Sequence, residues 1–406
     1  MSTEPTGIDP ASISNSESNY FVFNVMRGLY RTSANGDVIP EMAETCRMTN
    51  SAPWITTCTI RKNALWSDGI ALKAQDVVFS WRRLLSPSAK GTGVELIKSV
   101  QGAIDAHAGK IPVEQVGLRA IDTRTIEIRH SELDAEFIQK LAHPALSFVR
   151  DGFSYTRAAA SKAPVLGPYV VEDWTSAQKI KLRSNPHYDS HPRPPVEVLV
   201  IDDDETALGL YRSGTLSLLR RLPTHYLKTW KLSKELHYIP VARFDYIGFG
   251  PPLNEDRFVS VRQAMAQSLK YEDLKRLYEA RGLPGCPGID RRHFETVPCH
   301  EFNVAKARSL LNSKEKPPQL LLAFSKLGGD DVQKGMEWAQ AQWQQNLGLN
   351  VELRSVEQAV YIQMLKTSPP SLFRKGVGLD RDSCLAAVEI FQEGDPENYI
   401  QLKDLK

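Results

Sequence analysis

The hydrophobic pattern changes period repeatedly along the chain. Behind an extended run from Ile60 to Trp66 and a Ser67-Asp68-Gly69 turn, the segment Lys73 to Leu85 sets Val77, Val78, Trp81, Leu84 and Leu85 on one face. Ala74-Gln75-Asp76 fills its first turn, where an acid suits the helix dipole, so an amphipathic helix is predicted. Earlier, FVFNVMRGLY (21–30) reads as a helix running into a glycine stop. VGLRAIDTRTIEIRH (116–130) alternates apolar and polar residues around Asp122-Thr123, which predicts a hairpin, and residues 167–188 predict another pair of strands. VEVLVIDDDETALGLYRSGTL (196–216) reads as a strand and then a helix ended by Gly214. The acidic run 202–205 reads as a solvated helix start favoured by the backbone dipole rather than a metal site.

From 241 onward the alternation of strands and helices continues. ARFDYIGFG predicts a strand, a helix follows from Val259 to about Arg281, and PQLLLAFSK predicts a buried strand. Val332, Met336, Ala339, Trp343 and Leu347 then recur at three- and four-residue steps from Asp331 to Leu347, and GLNVELRSV predicts the next strand. Strand, helix and strand at this spacing imply a βαβ crossover and mixed sheets in more than one lobe.

Composition narrows the class without choosing a function. A chain of 406 residues suits two or three packed lobes rather than one core. With 42% hydrophobic and 24% charged residues it reads as an ordinary folded protein. The formal net charge is +2 and the basic residues are scattered, so nucleic acid is not an expected partner. No apolar run reaches the roughly 18–20 residues of a membrane span. The first thirty residues carry no basic n-region with an apolar h-region, and the opening MSTEPTGIDP reads as a cut of the kind made behind a leader.

The chemistry-bearing residues do not assemble into an enzyme motif. The sequence contains no phosphate loop ending in Gly-Lys-Ser/Thr, no Gly-x-Ser-x-Gly and no His-Glu-x-x-His, and the nine histidines are dispersed. No cofactor is expected. Cys286, His293, Cys299 and His300 fit no common zinc spacing, and a disulfide between Cys286 and Cys299 across their Pro/Gly-rich loop is the favoured alternative. Cys46 and Cys58 flank a turn at Thr49–Pro53, where they read as partners across a hairpin; for both this pair and Cys286 with Cys299 the alternative is small buried thiols, and Cys384 is left over. Two bridges would place the protein in an oxidising compartment.

Five segments, EMAETCRMT, IRKNALWSDGIALKAQDVVFSWRRLLSP, LGPYVVEDW with LRSNPHY, DRFVSVRQAMAQSLKYEDLKRLY and NVAKARSLL, occur in an order that resembles the family 5 extracellular solute-binding proteins. These are the oligopeptide- and dipeptide-binding receptors of ABC importers. STEPTGIDP resembles the Glu-Pro…Leu-Asp-Pro segment near their N-terminus. The resemblance covers nearly the whole chain. It implies an α/β, bilobed periplasmic-binding-protein-like fold of type II, cluster C, with an accessory subdomain and a hinge, closing on ligand because only the closed state lets both lobes touch it. The lobes map as 1–47 with 162–240 for lobe I, 48–161 for the accessory subdomain and 241–406 for lobe II. Both ends read as shorter than in relatives, with the C-terminal return to lobe I missing.

The resemblance also assigns residues. Cys46 stands where the family usually has Trp and Cys58 where it usually has Phe, two cross-strand neighbours, which favours a bridge between them. RKGVGLDRDSCL (374–385) resembles the ligand segment, so Asp380 falls on the carboxylate that holds a peptide's α-ammonium and Arg374 on an Arg that can meet a carboxylate. The structural alternatives are a helix N-cap for Asp380 and a solvated loop for Arg374. Val377 replaces the family's aromatic and Gly378 follows it, which implies a lost stacking wall and a wider pocket. Ser14, Asn15 and Ser16 of SISNSESN are further candidate contacts. The implied protein is a monomeric receptor without catalysis, in the periplasm or outside the cell and either free or lipid-anchored. It would deliver a peptide or peptide-like ligand to ABC importer permease subunits. An interaction or sensory protein that keeps the bilobed fold is the alternative.

Overall fold

Alternating segments in the first half of the chain become antiparallel ladders. In this computed structural model, Ala43–Met48, Ile55–Ile60, Thr125–Arg129 and Leu118–Ala120 form a four-stranded sheet in that order. The Asp122 carboxylate accepts from the backbone N–H groups of Arg124 and Thr125 and so closes the predicted 116–130 hairpin. Tyr169–Thr175, Lys179–Ser184 and Val196–Leu199 form a second, three-stranded ladder. Cys46 and Cys58 are register partners across their hairpin and are joined by a disulfide.

The structure describes residues 1–237 apart from 2, 14, 15 and 90, together with 243–277, 301–311, 317–326, 329–381, 383–392 and 398–400. Cys286, His293, Cys299 and His300 lie outside these, as does the side chain of Cys384. The chain divides into two units, Met1–Arg221 and Leu222–Lys406.

In the first unit the strand-turn-helix around Trp66 is fastened by one carboxylate. Asp76 accepts the backbone N–H of Lys73 at 2.9 Å and the indole N–H of Trp66 at 3.4 Å, at the start of the helix Ala74–Leu84. Gly69 supplies the turn with φ +83°. The helix buries Val77, Val78, Trp81 and Leu84 in a core with Ile60, Ile126, Ile128 and Phe137. Each such side chain contributes about 1.5–3 kcal/mol on leaving water. A second core joins Ile8, Phe21, Val22 and Val25 to Val170, Val171, Ile180 and Leu182.

The helix read at 21–30 instead runs Ser16–Val25. It stops there because Gly167 N–H takes the Val25 carbonyl at 2.9 Å, and Tyr30–Thr32 pairs with Val38–Pro40 as a strand. Asp203, in the acidic run, is the N-cap of the helix Asp204–Arg212 and accepts from Thr206 N–H at 2.7 Å.

The second unit holds the mixed sheet, ordered Arg243–Phe249, Leu372–Gly378, Leu320–Ser325 and Val351–Val356. Its first pair is antiparallel and the other two are parallel. Mixed pairing, expected in more than one lobe, is found among the described residues only here; the strands paired in the first unit are all antiparallel. The helix Gly329–Leu347 crosses from Leu320–Ser325 to Val351–Val356 as the predicted crossover, with Val332, Met336, Ala339 and Trp343 packed with Leu322, Phe324 and Leu372.

The long helix predicted from Val259 breaks after Gln267 and resumes at Glu272–Leu277. No Gly or Pro causes the break. Asn346 donates to the Ser268 carbonyl at 2.8 Å and Asn303 N–H takes the Gln267 carbonyl at 3.0 Å, so distant segments satisfy the helix end.

Candidate functional site

The residues singled out for ligand binding in the second unit share one strand and the turn that leaves it. Leu372–Gly378 runs antiparallel to Arg243–Phe249, with Arg374 opposite Ile247, Gly376 opposite Asp245 and Gly378 opposite Arg243. Paired residues project to the same side and every second residue shares a face, so Arg243, Asp245 and Arg374 belong to one face. Gly376 leaves room for them, since a Cβ there would displace the ends of the Arg243 and Asp245 side chains and crowd that of Arg374. Arg374 lies in a strand rather than a solvated loop; it is buried and donates to Asp245 Oδ2 at 2.7 Å. Behind it, the Tyr361 hydroxyl donates to the Arg374 carbonyl at 2.6 Å, and burial raises that hydroxyl's pKa above its usual value.

The turn beyond the strand carries the other charges. Asp380 is not the helix N-cap. That role falls to Ser383, whose hydroxyl accepts from Leu385 and Ala386 N–H at the start of Cys384–Glu389. The Arg381 Nη1 instead donates to both Asp380 oxygens, at 2.9 and 2.8 Å, while its Nη2 donates to Glu389 at 2.8 Å. The Arg381 side chain is 2% exposed, whereas Asp380 and Glu389 remain 25% and 20% exposed. Val377 is buried, and Gly378 is exposed with no atom within 4 Å of where a Cβ would stand. Ser14 and Asn15 lie outside the described residues; Ser16 opens the first helix, in the first unit.

Asp245, Arg381 and Glu389 were not found by sequence reasoning. The signals were a lone acid in the strand pattern ARFDYIGFG and a basic residue directly after Asp380. A groove of about 690 Å³ elsewhere in this unit is lined by Arg354, Val360, Met364 and Pro369 among others, and by none of the singled-out residues.

The first unit holds a buried polar group that also escaped notice. The Ser99 hydroxyl donates to Asp134 at 2.9 Å, so its 3.2 Å contact with His130 Nδ1 has the imidazole as donor. Thr56 Oγ1 then donates to His130 Nε2 at 2.9 Å, and Lys140 reaches the same Asp134 oxygen at 2.9 Å. All five residues are buried. Burial lowers the histidine's pKa, against the raising effect of Asp134. Serine, histidine and aspartate meet here, but the serine hydroxyl donates its hydrogen bond to the carboxylate rather than to the imidazole and is sealed from solvent, so the arrangement fastens the fold. Among the described residues no three His, Cys, Asp or Glu side chains are grouped so as to hold a metal.

This is the fold of the periplasmic binding proteins: the chain aligns with the solved murein tripeptide-binding protein MppA of Escherichia coli at a TM-score of 0.81, with 22% identity, covering 99% of this chain and 83% of that one. The family model described as bacterial extracellular solute-binding proteins, family 5 Middle, matches residues 37–392, and the chain belongs to that family. Among relatives, the oligopeptide-binding protein OppA of Bacillus subtilis is 24% identical over 427 residues, covering 98% of this chain and 77% of the relative. The probable deoxycholate-binding periplasmic protein YgiS of Escherichia coli is 26% identical, covering 92% and 73%.

Proposed function

We propose that this chain is a receptor that takes up a peptide or peptide-like solute in the periplasm or outside the cell and delivers it to the permease of an ABC importer. It acts as a monomer and without catalysis. The observation that carries this reading is membership of the solute-binding family over residues 37–392, with relatives named for oligopeptide binding. The second unit supplies a fitting place for ligand: a turn with exposed Gly378 and the partly exposed carboxylates of Asp380 and Glu389, held on a sheet and a capped helix. Rigid elements of this sort position binding groups better than free loops do.

Thermal unfolding with and without peptide tests the proposal. A saturating ligand at a thousandfold excess over its Kd stabilises the protein by about 4 kcal/mol. Gly378→Trp, placed where space is open, is expected to keep the fold and diminish that shift. An undiminished shift would remove this turn from the site, and no shift with any peptide would remove the peptide reading.

A further inference from the structure

Two guanidinium groups share one carboxylate on a face of the mixed sheet. Arg374 Nη2 donates to Asp245 Oδ2 at 2.7 Å, and Arg243 Nη2 donates to Asp245 Oδ1 at 3.2 Å. Two cations against one anion leave this trio one positive charge, which a single further anion balances. The arginines are unequally placed to receive it. The Arg374 side chain is 11% exposed and that of Arg243 is 43% exposed. Arg243 gives one N–H to Asp245, and no other acceptor among the described residues takes its remaining donors. Its strand register sets it opposite exposed Gly378, two residues before Asp380, so it borders the turn proposed for ligand. That turn carries the opposite sign, since Asp380 and Glu389 share the one cation of Arg381.

We infer that Arg243 is a specificity-determining contact of the proposed site and receives a carboxylate of the solute. Asp245, anchored by buried Arg374, fixes its guanidinium. The planar fork of a guanidinium matches the two oxygens of a carboxylate, and a peptide-like solute carries that group at its C-terminal end or on an Asp or Glu side chain. The inference rests on the proposed function, because it assigns a contact within the same site. Arg243→Gln would leave Asp245 and Arg374 as a neutral pair with no net charge to offer.

Three pools of tripeptides built from uncharged residues test it: free acids, C-terminal amides, and C-terminal amides with one Glu. Each is titrated against the full chain by calorimetry. At least one of the two carboxylate-bearing pools is expected to bind about tenfold tighter than the plain amides, and the one that does identifies the carboxylate as terminal or side-chain. Arg243→Gln is expected to abolish that preference. Lys375→Gln, on the opposite face of the neighbouring strand, is expected to keep it. No preference in the parent chain, a preference that survives Arg243→Gln, or one lost equally in Lys375→Gln would overturn the inference and leave the peptide receptor standing. No binding of any pool would overturn both readings. Because pools are compared on the same variant, a general loss of stability does not imitate the result.

Discussion

Lys140 in the first unit and Arg381 in the second are both buried cations bonded to carboxylates, yet their surroundings differ in one decisive respect. Around Lys140 everything is hidden: its side chain is 4% exposed, its partner Asp134 is 8% exposed, and Ser99, His130 and Thr56 complete the bonds. Around Arg381 only the cation is hidden, and the two acids it holds reach solvent. The sealed group must satisfy itself fully, because an orphaned buried charge has no water to turn to. The half-open group can exchange part of its bonding with whatever approaches. Polar clusters of similar composition thus divide into one that fastens the fold and one suited to contact.

Removing one member of each group should break the likeness apart. Lys140→Ala leaves the Asp134 charge buried, and denaturant unfolding should show a loss of about 3–5 kcal/mol. Arg381→Ala leaves two acids that can hydrate, so the expected loss is smaller, about 1–3 kcal/mol. Equal losses would erase the distinction. Acidification sharpens it further. The native pKa of His130 lies below its ordinary value, so the unfolded chain takes up a proton first as pH falls. Stability from this group is therefore present above about pH 6.5 and is lost below it, at a slope of at most about 1.4 kcal/mol per pH unit. His130→Asn, followed by urea titration between pH 7 and 5, should show a shallower slope than the parent chain.

Much of this framework was legible because it is local. The 116–130 hairpin, the helix behind Trp66 and the crossover helix ending at Leu347 each carry their own period and boundary residues. The break after Gln267 was not legible, since the residue that caps it, Asn346, lies 78 positions from Ser268. The same limit hid the candidate site. The sequence placed Arg374 and Asp380 in one segment, but Asp245 stands 129 positions from Arg374, and only strand register brings them together. Arg381 was adjacent to Asp380 in plain view, but its burial depends on packing that no local pattern encodes. Val377 likewise reads as a lost aromatic wall in sequence and proves to be an interior residue of its unit.

The Cys46–Cys58 bridge bears on solubility as well as on the fold. Among the described residues Ala43–Met48 is the outer strand of its sheet, with no strand paired to its other flank beyond the bond from Ala43 N–H to the Leu29 carbonyl, and such a flank is a template on which a second molecule can assemble. Exposed Glu44 and partly exposed Cys46 and Met48 lie along it. Cross-linking the strand to its inner neighbour prevents it from peeling away and offering both flanks at once. Reduction therefore threatens self-association through this strand before it threatens the rest of the molecule.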